Sequence, residues 1–311
     1  MNSVPPRAAP PSPTLRLVVA INAYASFGRR SDVGPRVVVA LRAAGHDVTV
    51  RSEVSFELLR LEVLALLVPG VDVLVVVGGD GMVSLGTNLL AGRTIPLAIV
   101  PCGTGNDLAR GLGIPVDDTD AAIRHLLAAL ALARAPRAID CGRATCGDVT
   151  TWFAGVLSAG FDAVVNERAN RMRRPRGKSR YTLAMLLVLA TFKPLTYRLT
   201  VDGVERTQRA MLISVANNVS IGGGMRIAPD AVIDDGLLDL FVVTPLSRIG
   251  FLRVFPKVFS GTHTGLPQVE ITRCRSVRMD AEGVFAYADG ERIGALPVQV
   301  DVVPGALFVC A

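Results

Sequence analysis

Two places in this chain gather the residue types that can cradle phosphate, each directly after an apolar run. Gly78-Gly79-Asp80-Gly81 follows the run that ends at Val77. Glycines at the end of a buried strand lack Cβ atoms, so backbone N–H groups can approach an anion closely. The acid among them can hold a water or a metal, or pair with a nucleotide hydroxyl. About two dozen residues on, Pro101-Cys102-Gly103-Thr104-Gly105-Asn106-Asp107-Leu108-Ala109-Arg110 again follows a short apolar run and opens a helix. Thr104 and Asn106 can cap that helix and also contact phosphate. A single turn of this kind is mostly structural. Two on neighbouring parallel strands make one concave site, at the strand ends where α/β sheets bind ligands.

Other fingerprints fail. Leu108 stands where a dinucleotide motif needs a small residue, and Met172 stands where a Walker A loop ending at Gly177-Lys178-Ser179 needs its first glycine. Asp289-Gly290-Glu291 offers two carboxylates that can accept a proton, although an ordinary Asp-Gly hairpin turn reads the same way. Asp230, Asp234, Asp235 and Asp239 are close in sequence, which suits a cation or a solvated turn equally. Residues 168–180 carry seven positive charges and no acid. That segment suits an anionic membrane surface, phosphate in a cleft, or a solvated loop. Nucleic acid is disfavoured, because no aromatic residues interleave with the charges.

The elements that must position these residues alternate in the first half. Strands are expected at 15–21, 47–50, 71–77 and 97–100, and helices at 33–44, 56–67, to Leu90, and at 119–134. Apolar strands alternating with helices predict a parallel sheet covered by helices. After Ala138 the texture becomes short and β-like. Strands are expected at 197–201, 211–216, 237–243, 269–272, 284–288 and 298–303, with a hairpin at Asp202-Gly203. Two helices, 181–192 and 247–259, interrupt them. Trp152 and Phe153 read as core residues. The expected organisation is a disordered tail at 1–13, an α/β nucleotide-binding domain at 14–140 and a β-sandwich substrate domain at 141–299, with 300–311 packing back on the first domain.

Composition narrows the class. Half of the 311 residues are hydrophobic and the net charge is +6, which favours anionic partners. No run is long enough for a spanning helix, which needs roughly 20 apolar residues. The Pro-rich start lacks the apolar core of a signal peptide. Five cysteines without a C-x-x-C pair read as free thiols of the cytoplasm, and three scattered histidines exclude an ordinary zinc site.

Taken in order, these motifs resemble those of the bacterial diacylglycerol kinase and lipid kinase family, whose nucleotide fold is shared with sphingosine kinases and NAD kinases. The resemblance continues through Ser158-Ala159-Gly160-Phe161-Asp162, Gly222-Gly223-Gly224-Met225, Ala228-Pro229, Asp235-Gly236-Leu237-Leu238-Asp239 and Asp289-Gly290-Glu291. It implies an NAD kinase-like α/β domain and a β-sandwich, with the site in the cleft between them. It implies ATP as donor, lying across Gly78, Gly79, Asp80, Gly81, Met82, Val83 and Ser84 and across Gly103, Thr104, Asn106 and Asp107, with Asn22 and Ser52 as further contacts. It implies Mg2+ at Asp235 with the carbonyls of Val232 and Leu237, and Asp289 or Glu291 as general base. Met82 and Leu85 replace the threonine and the acid usual in the first turn.

The expected function is ATP-dependent phosphorylation of a lipid hydroxyl, diacylglycerol first, by a cytoplasmic protein peripheral to the inner face of the membrane. The expected partners are that lipid surface, reached through residues 168–180, and a second copy of the chain as a homodimer. Another lipid acceptor, an NAD kinase, or a non-catalytic nucleotide- or lipid-binding module are the alternatives.

Overall fold

The computed structural model describes residues 13–22, 32–131, 135–172, 174 and 178–311. Residues 1–12 of the N-terminal tail and Arg134, the expected end of a helix, lie outside them.

Four parallel strands begin the molecule: β1 (Arg16–Asn22), β2 (Asp47–Glu53), β3 (Val73–Gly78) and β4 (Leu97–Pro101), in the order β2-β1-β3-β4. Every residue of β3 and β4 is buried. Strands covered on both faces need apolar side chains on both, and the runs of Val, Leu and Ile supply them. The covering helices are α1 (Val33–Ala43), α2 (Phe56–Leu66), α3 (Asp80–Leu90), the short α4 (Asp107–Gly111) and α5 (Thr119–Ala131). Gly45, at φ +88°, ends the α1 unit, and Ser55 caps α2 by accepting from the Leu58 N–H at 3.3 Å.

The second half is two facing sheets. β5 (Arg137–Cys146), β6 (Val149–Phe153), β8 (Leu195–Val201), β9 (Val204–Ala210), β13 (Ser276–Asp280) and β16 (Val298–Cys310) join the first sheet, which has ten strands. β7 (Val156–Ser158), β10 (Leu212–Ala216), β11 (Leu238–Val243), β12 (Val269–Cys274), β14 (Phe285–Ala288) and β15 (Glu291–Ala295) form an antiparallel six-stranded sheet. Between them lies a core that includes Phe153, Leu157, Tyr197, Ile213, Leu240 and Val300. The fold is an α/β domain followed by a β-sandwich. Asp202 and Gly203, both at positive φ, turn β8 into β9 as the Asp-Gly pair predicts.

One strand serves both halves. β16 pairs antiparallel with β5 and β13, shifts register between Val303 and Leu307, and then pairs parallel with β4 through Val309 and Cys310. Three helices pack around one cluster beside the six-stranded sheet: α6 (Phe161–Arg171), α7 (Lys178–Thr191) and α8 (Arg248–Ser260). α6 has no counterpart in the sequence expectations, because its polar run of Asn, Glu and Arg disguises the apolar side of Phe161, Val165 and Ala169. Arg168 and Arg171 of the basic segment therefore sit on a helix, and 178–180 begin another.

Asp140 fixes the seam between the halves. Its carboxylate is buried and accepts from Gly236 N–H at 2.6 Å and from Gly305 N–H at 2.8 Å. The second bond is at the register shift of β16. Removing the acceptor strands two main-chain donors, each costing about 1–3 kcal/mol. Asp140→Ala should therefore lower the urea midpoint by the equivalent of roughly 2–6 kcal/mol, with Asp140→Asn losing less because one acceptor oxygen remains.

Candidate active site

The two glycine turns meet. A Cβ on Gly103 would collide with the Cα of Gly79, so neither turn tolerates a side chain at the contact. Asp80 locks them together: its Oδ2 accepts from Asn106 N–H at 2.9 Å and its Oδ1 from Asp107 N–H at 2.8 Å. Those amides open α4, so the N-terminal cap of that helix comes from the other turn. Asn106 was expected to cap it. Instead Asn106 stands at φ +57°, and its side chain accepts from Gly103 N–H and donates to Gly103 C=O, both at 3.0 Å. Burial and the neighbouring Asp107 raise the Asp80 pKa above its ordinary value.

Asp107 reaches across the domain seam. Its oxygens accept from Gly223 N–H at 2.7 Å and Gly224 N–H at 2.9 Å, while its carbonyl takes the Asn218 amide at 3.0 Å. The Gly222-Gly223-Gly224 loop of the sandwich is thereby pinned to the second glycine turn. Positive φ at all three glycines is what lets successive amides point at one carboxylate. Asp80, Asn106 and Asp107 are thus brought into the site as the tie between its walls.

Asp289 supplies the third wall. It occupies the left-handed region at φ +46°, at the tip of the β14–β15 hairpin. Its Oδ1 accepts from Gly155 N–H at 3.1 Å and Val156 N–H at 2.9 Å, and its Oδ2 from Ala154 N–H at 3.1 Å and, at 3.4 Å, from the shared Gly155 N–H. A Cβ on Gly155 would strike the carboxylate. Burial pushes the Asp289 pKa up to about 6, against the pull of these amides, and the charge of Asp80 adds to the rise. Glu291 differs: it is exposed, and its Oε1 lies 3.8 Å from where a Cβ of Gly81 would stand. The Asp-Gly-Glu hairpin therefore leans over the first glycine turn.

The remaining expected contacts divide. Asn22, at the end of β1, lies 3.7 Å from the Cβ position of Gly78 and belongs to the site edge. Gly79 and Gly81 are half-buried and Thr104 is exposed on its solvent side. Ser84 is buried one turn into α3. Met82 and Val83 are not placed to touch a ligand. Both side chains are in the core, Met82 folds back over Gly78, and both amides donate to Gly79 C=O. Ser52 sits one strand farther out on β2, exposed in a groove with Glu62 and Leu66 of α2.

The expected magnesium site does not fit its donors. The Asp235 carboxylate is ion-paired with Arg273 and accepts from Leu237 N–H at 3.0 Å. Val232 is exposed beside it, and the described residues contain no cluster of three metal-ligating side chains. A guanidinium already supplies the positive charge there.

Sequence reasoning missed Arg110, Gly155, Asn217 and Asn218. Arg110 donates to Gly105 C=O at 3.3 Å, and its Nε lies 3.7 Å from the Cβ position of Gly224, between the two walls. Asn217 bonds the carbonyls of Asp140 and Ala154. The consecutive asparagines ahead of the triple glycine were the available signal.

Comparison with known proteins agrees with this arrangement. Residues 16–144 match the diacylglycerol kinase catalytic domain, and residues 155–311 match the YegS C-terminal NAD kinase beta sandwich-like domain. A protein of Mycobacterium tuberculosis named diacylglycerol kinase is 38% identical, over 92% of this chain and 88% of its own. One of Stenotrophomonas maltophilia named "Probable lipid kinase YegS-like" is 31% identical over 76% of this chain and 77% of its own. A crystal structure of a diacylglycerol kinase from Bacillus anthracis superposes with a TM-score of 0.69 at 21% identity, covering 95% of this chain and 96% of that one, which shows the common fold. A seam of glycine turns closed by Asp80 and Asp107, with a carboxylate fixed opposite, on a chain matched along nearly its whole length, makes this protein a member of the diacylglycerol kinase and YegS-like lipid kinase family.

Proposed function

We propose that the chain transfers the γ-phosphate of ATP to a lipid hydroxyl, with diacylglycerol as first acceptor and phosphatidic acid as product. The observation that carries this reading is Asp289. It is held by three main-chain amides opposite the glycine turns, with a pKa near 6. A general base works best when its pKa lies near the operating pH. The Asp289 carboxylate takes the proton as the lipid oxygen attacks the γ-phosphorus and ADP leaves.

Phosphoryl transfer otherwise needs positioning and positive charge. The Gly79, Gly81, Thr104 and Gly105 segment of the turns supplies the cradle, and Arg110 supplies a cation at its edge. Magnesium enters this reading only as the counter-ion ATP brings with it. The protein works as a peripheral enzyme of the cytoplasmic membrane face. No helix among the described residues is long and apolar enough to cross a membrane.

The test is transfer from γ-labelled ATP to diacylglycerol, sphingosine, ceramide and phosphatidylglycerol in mixed micelles. Label on diacylglycerol is the expected result, and label on another lipid alone would reassign the acceptor. No label on any lipid, with ATP bound, would overturn the reading in favour of a binding module. Asp289→Asn should cut turnover by about 10²–10⁴-fold while leaving ATP affinity nearly intact. Glu291→Gln should cost about tenfold or less, since Glu291 is exposed and steers rather than accepts the proton.

The pH dependence has a defined sign. The base must be ionised, so kcat/KM should fall below an acid limb near pH 6, the value of Asp289, and that limb should vanish in Asp289→Asn. The folded-state pKa lies above the ordinary 3.8, so this group's contribution to stability is present below about pH 4 and is lost as pH rises through about 6. The active protonation state is therefore the less stable one.

A further inference from the structure

We infer that α7 and α8 form one face that inserts into an anionic bilayer, α8 being its main contact. This rests on the lipid kinase reading and adds the surface by which the enzyme reaches its substrate. α8 is apolar on two sides. Phe251 and, in part, Phe255 pack inward, whereas Ile249, Leu252 and Phe259 are exposed, Ile249 at 65% and Phe259 at 51%. Their spacing of three and seven residues puts them on one side of the helix. α7 repeats the arrangement: Met185, Val188 and Leu189 pack into the same cluster as Phe251, while Leu183, Leu186 and Leu187 face out. Both outer stripes are thus the reverse faces of helices that share one core.

Charge identifies the occupant. No aspartate or glutamate occurs between Glu167 and Asp202 or between Asp239 and Glu270. Arg248, Arg253 and Lys257 flank the stripe of α8, a helix that carries no acid, and Arg168 and Arg174 lie at the α6 end, where Arg171 is already paired with Glu167. Apolar residues rimmed by cations without acids match an interfacial helix seated among anionic headgroups. A second copy of the same face would set cations against cations, and nucleic acid would leave the apolar stripe in water.

The face is wired to the site at both ends. β7 holds Asp289 through Val156 and runs within three residues into α6, which packs against α7. Arg226 N–H donates to Val258 C=O of α8 at 2.9 Å, just beyond the glycine loop that Asp107 holds.

Co-sedimentation with vesicles of equimolar phosphatidylglycerol and phosphatidylcholine, without ATP, tests this. The triple variant Ile249→Ser, Leu252→Ser, Phe259→Ser should bind at least about tenfold more weakly than the parent, while transfer to a water-soluble short-chain diacylglycerol is kept. Arg253→Gln with Lys257→Gln should weaken binding by about fivefold per residue, and phosphatidylcholine vesicles alone should bind poorly. Should the triple variant fail to fold, Ile249→Ser alone should still weaken binding by a factor of about two to five. Parental binding by the variants overturns the inference. So does unchanged binding together with a fall in solution mass by light scattering, which would make the face a contact between copies. Because ATP is absent, binding lost in the variants of a protein that phosphorylates no lipid would keep this face and remove only the kinase reading.

Discussion

Buried carboxylates that accept main-chain N–H groups hold this molecule's functional end together. Asp80 ties the two glycine turns, Asp107 ties the second turn to the sandwich, Asp140 ties the sandwich to β16, and Asp289 is itself held by the strand that follows β6. Glycine turns expose donors that no helix or strand satisfies, and a carboxylate is acceptor-only, so each acid can satisfy two or three at once. Such charge-assisted bonds are worth about 1.5–3 kcal/mol each, more than neutral ones. The glycines are required in turn, because a Cβ at Gly105 would strike Asp80 and a Cβ at Gly155 would strike Asp289. Acid and glycine are two halves of one device.

The device also sets the chemistry. Gathering acids where phosphate must bind looks unfavourable, yet Asp80, Asp107 and Asp140 are turned onto amides rather than toward the opening. The cost appears as proton affinity. Asp80 is raised by its own burial and by Asp107, and Asp289 by its own burial and by Asp80. The amides that fix Asp289 hold its rise to a value near 6. A carboxylate that titrates near 6 and a rigid seam thus share the same bonds.

Much of this was legible in the sequence, and the reasons for the rest are physical. β3 and β4 announce themselves because strands buried on both faces must be apolar throughout. The glycine turns and the Asp-Gly-Glu hairpin were visible as motifs. The partners of their acids were not, since Asp80 and Asn106 are joined by folding and not by spacing. The family resemblance implies a ligand contact at Met82, but the first turn of α3 rolls that side chain into the core. Asp235 resembled a cation ligand until the pairing of β11 with β12 brought Arg273 against it. α6 stayed hidden because a helix against one small cluster needs few apolar residues.

The seam itself is most directly tested by amide hydrogen exchange at Gly223 and Gly224 in the parent and in Asp107→Ala. If the carboxylate tie closes the cleft, these two amides are protected in the parent. In the variant they exchange faster by about one to two orders of magnitude, while Val215 and Leu240 in the sandwich core keep their protection. Equal protection in parent and variant, with the core unchanged, would show that the walls are held by something else and would contradict the account.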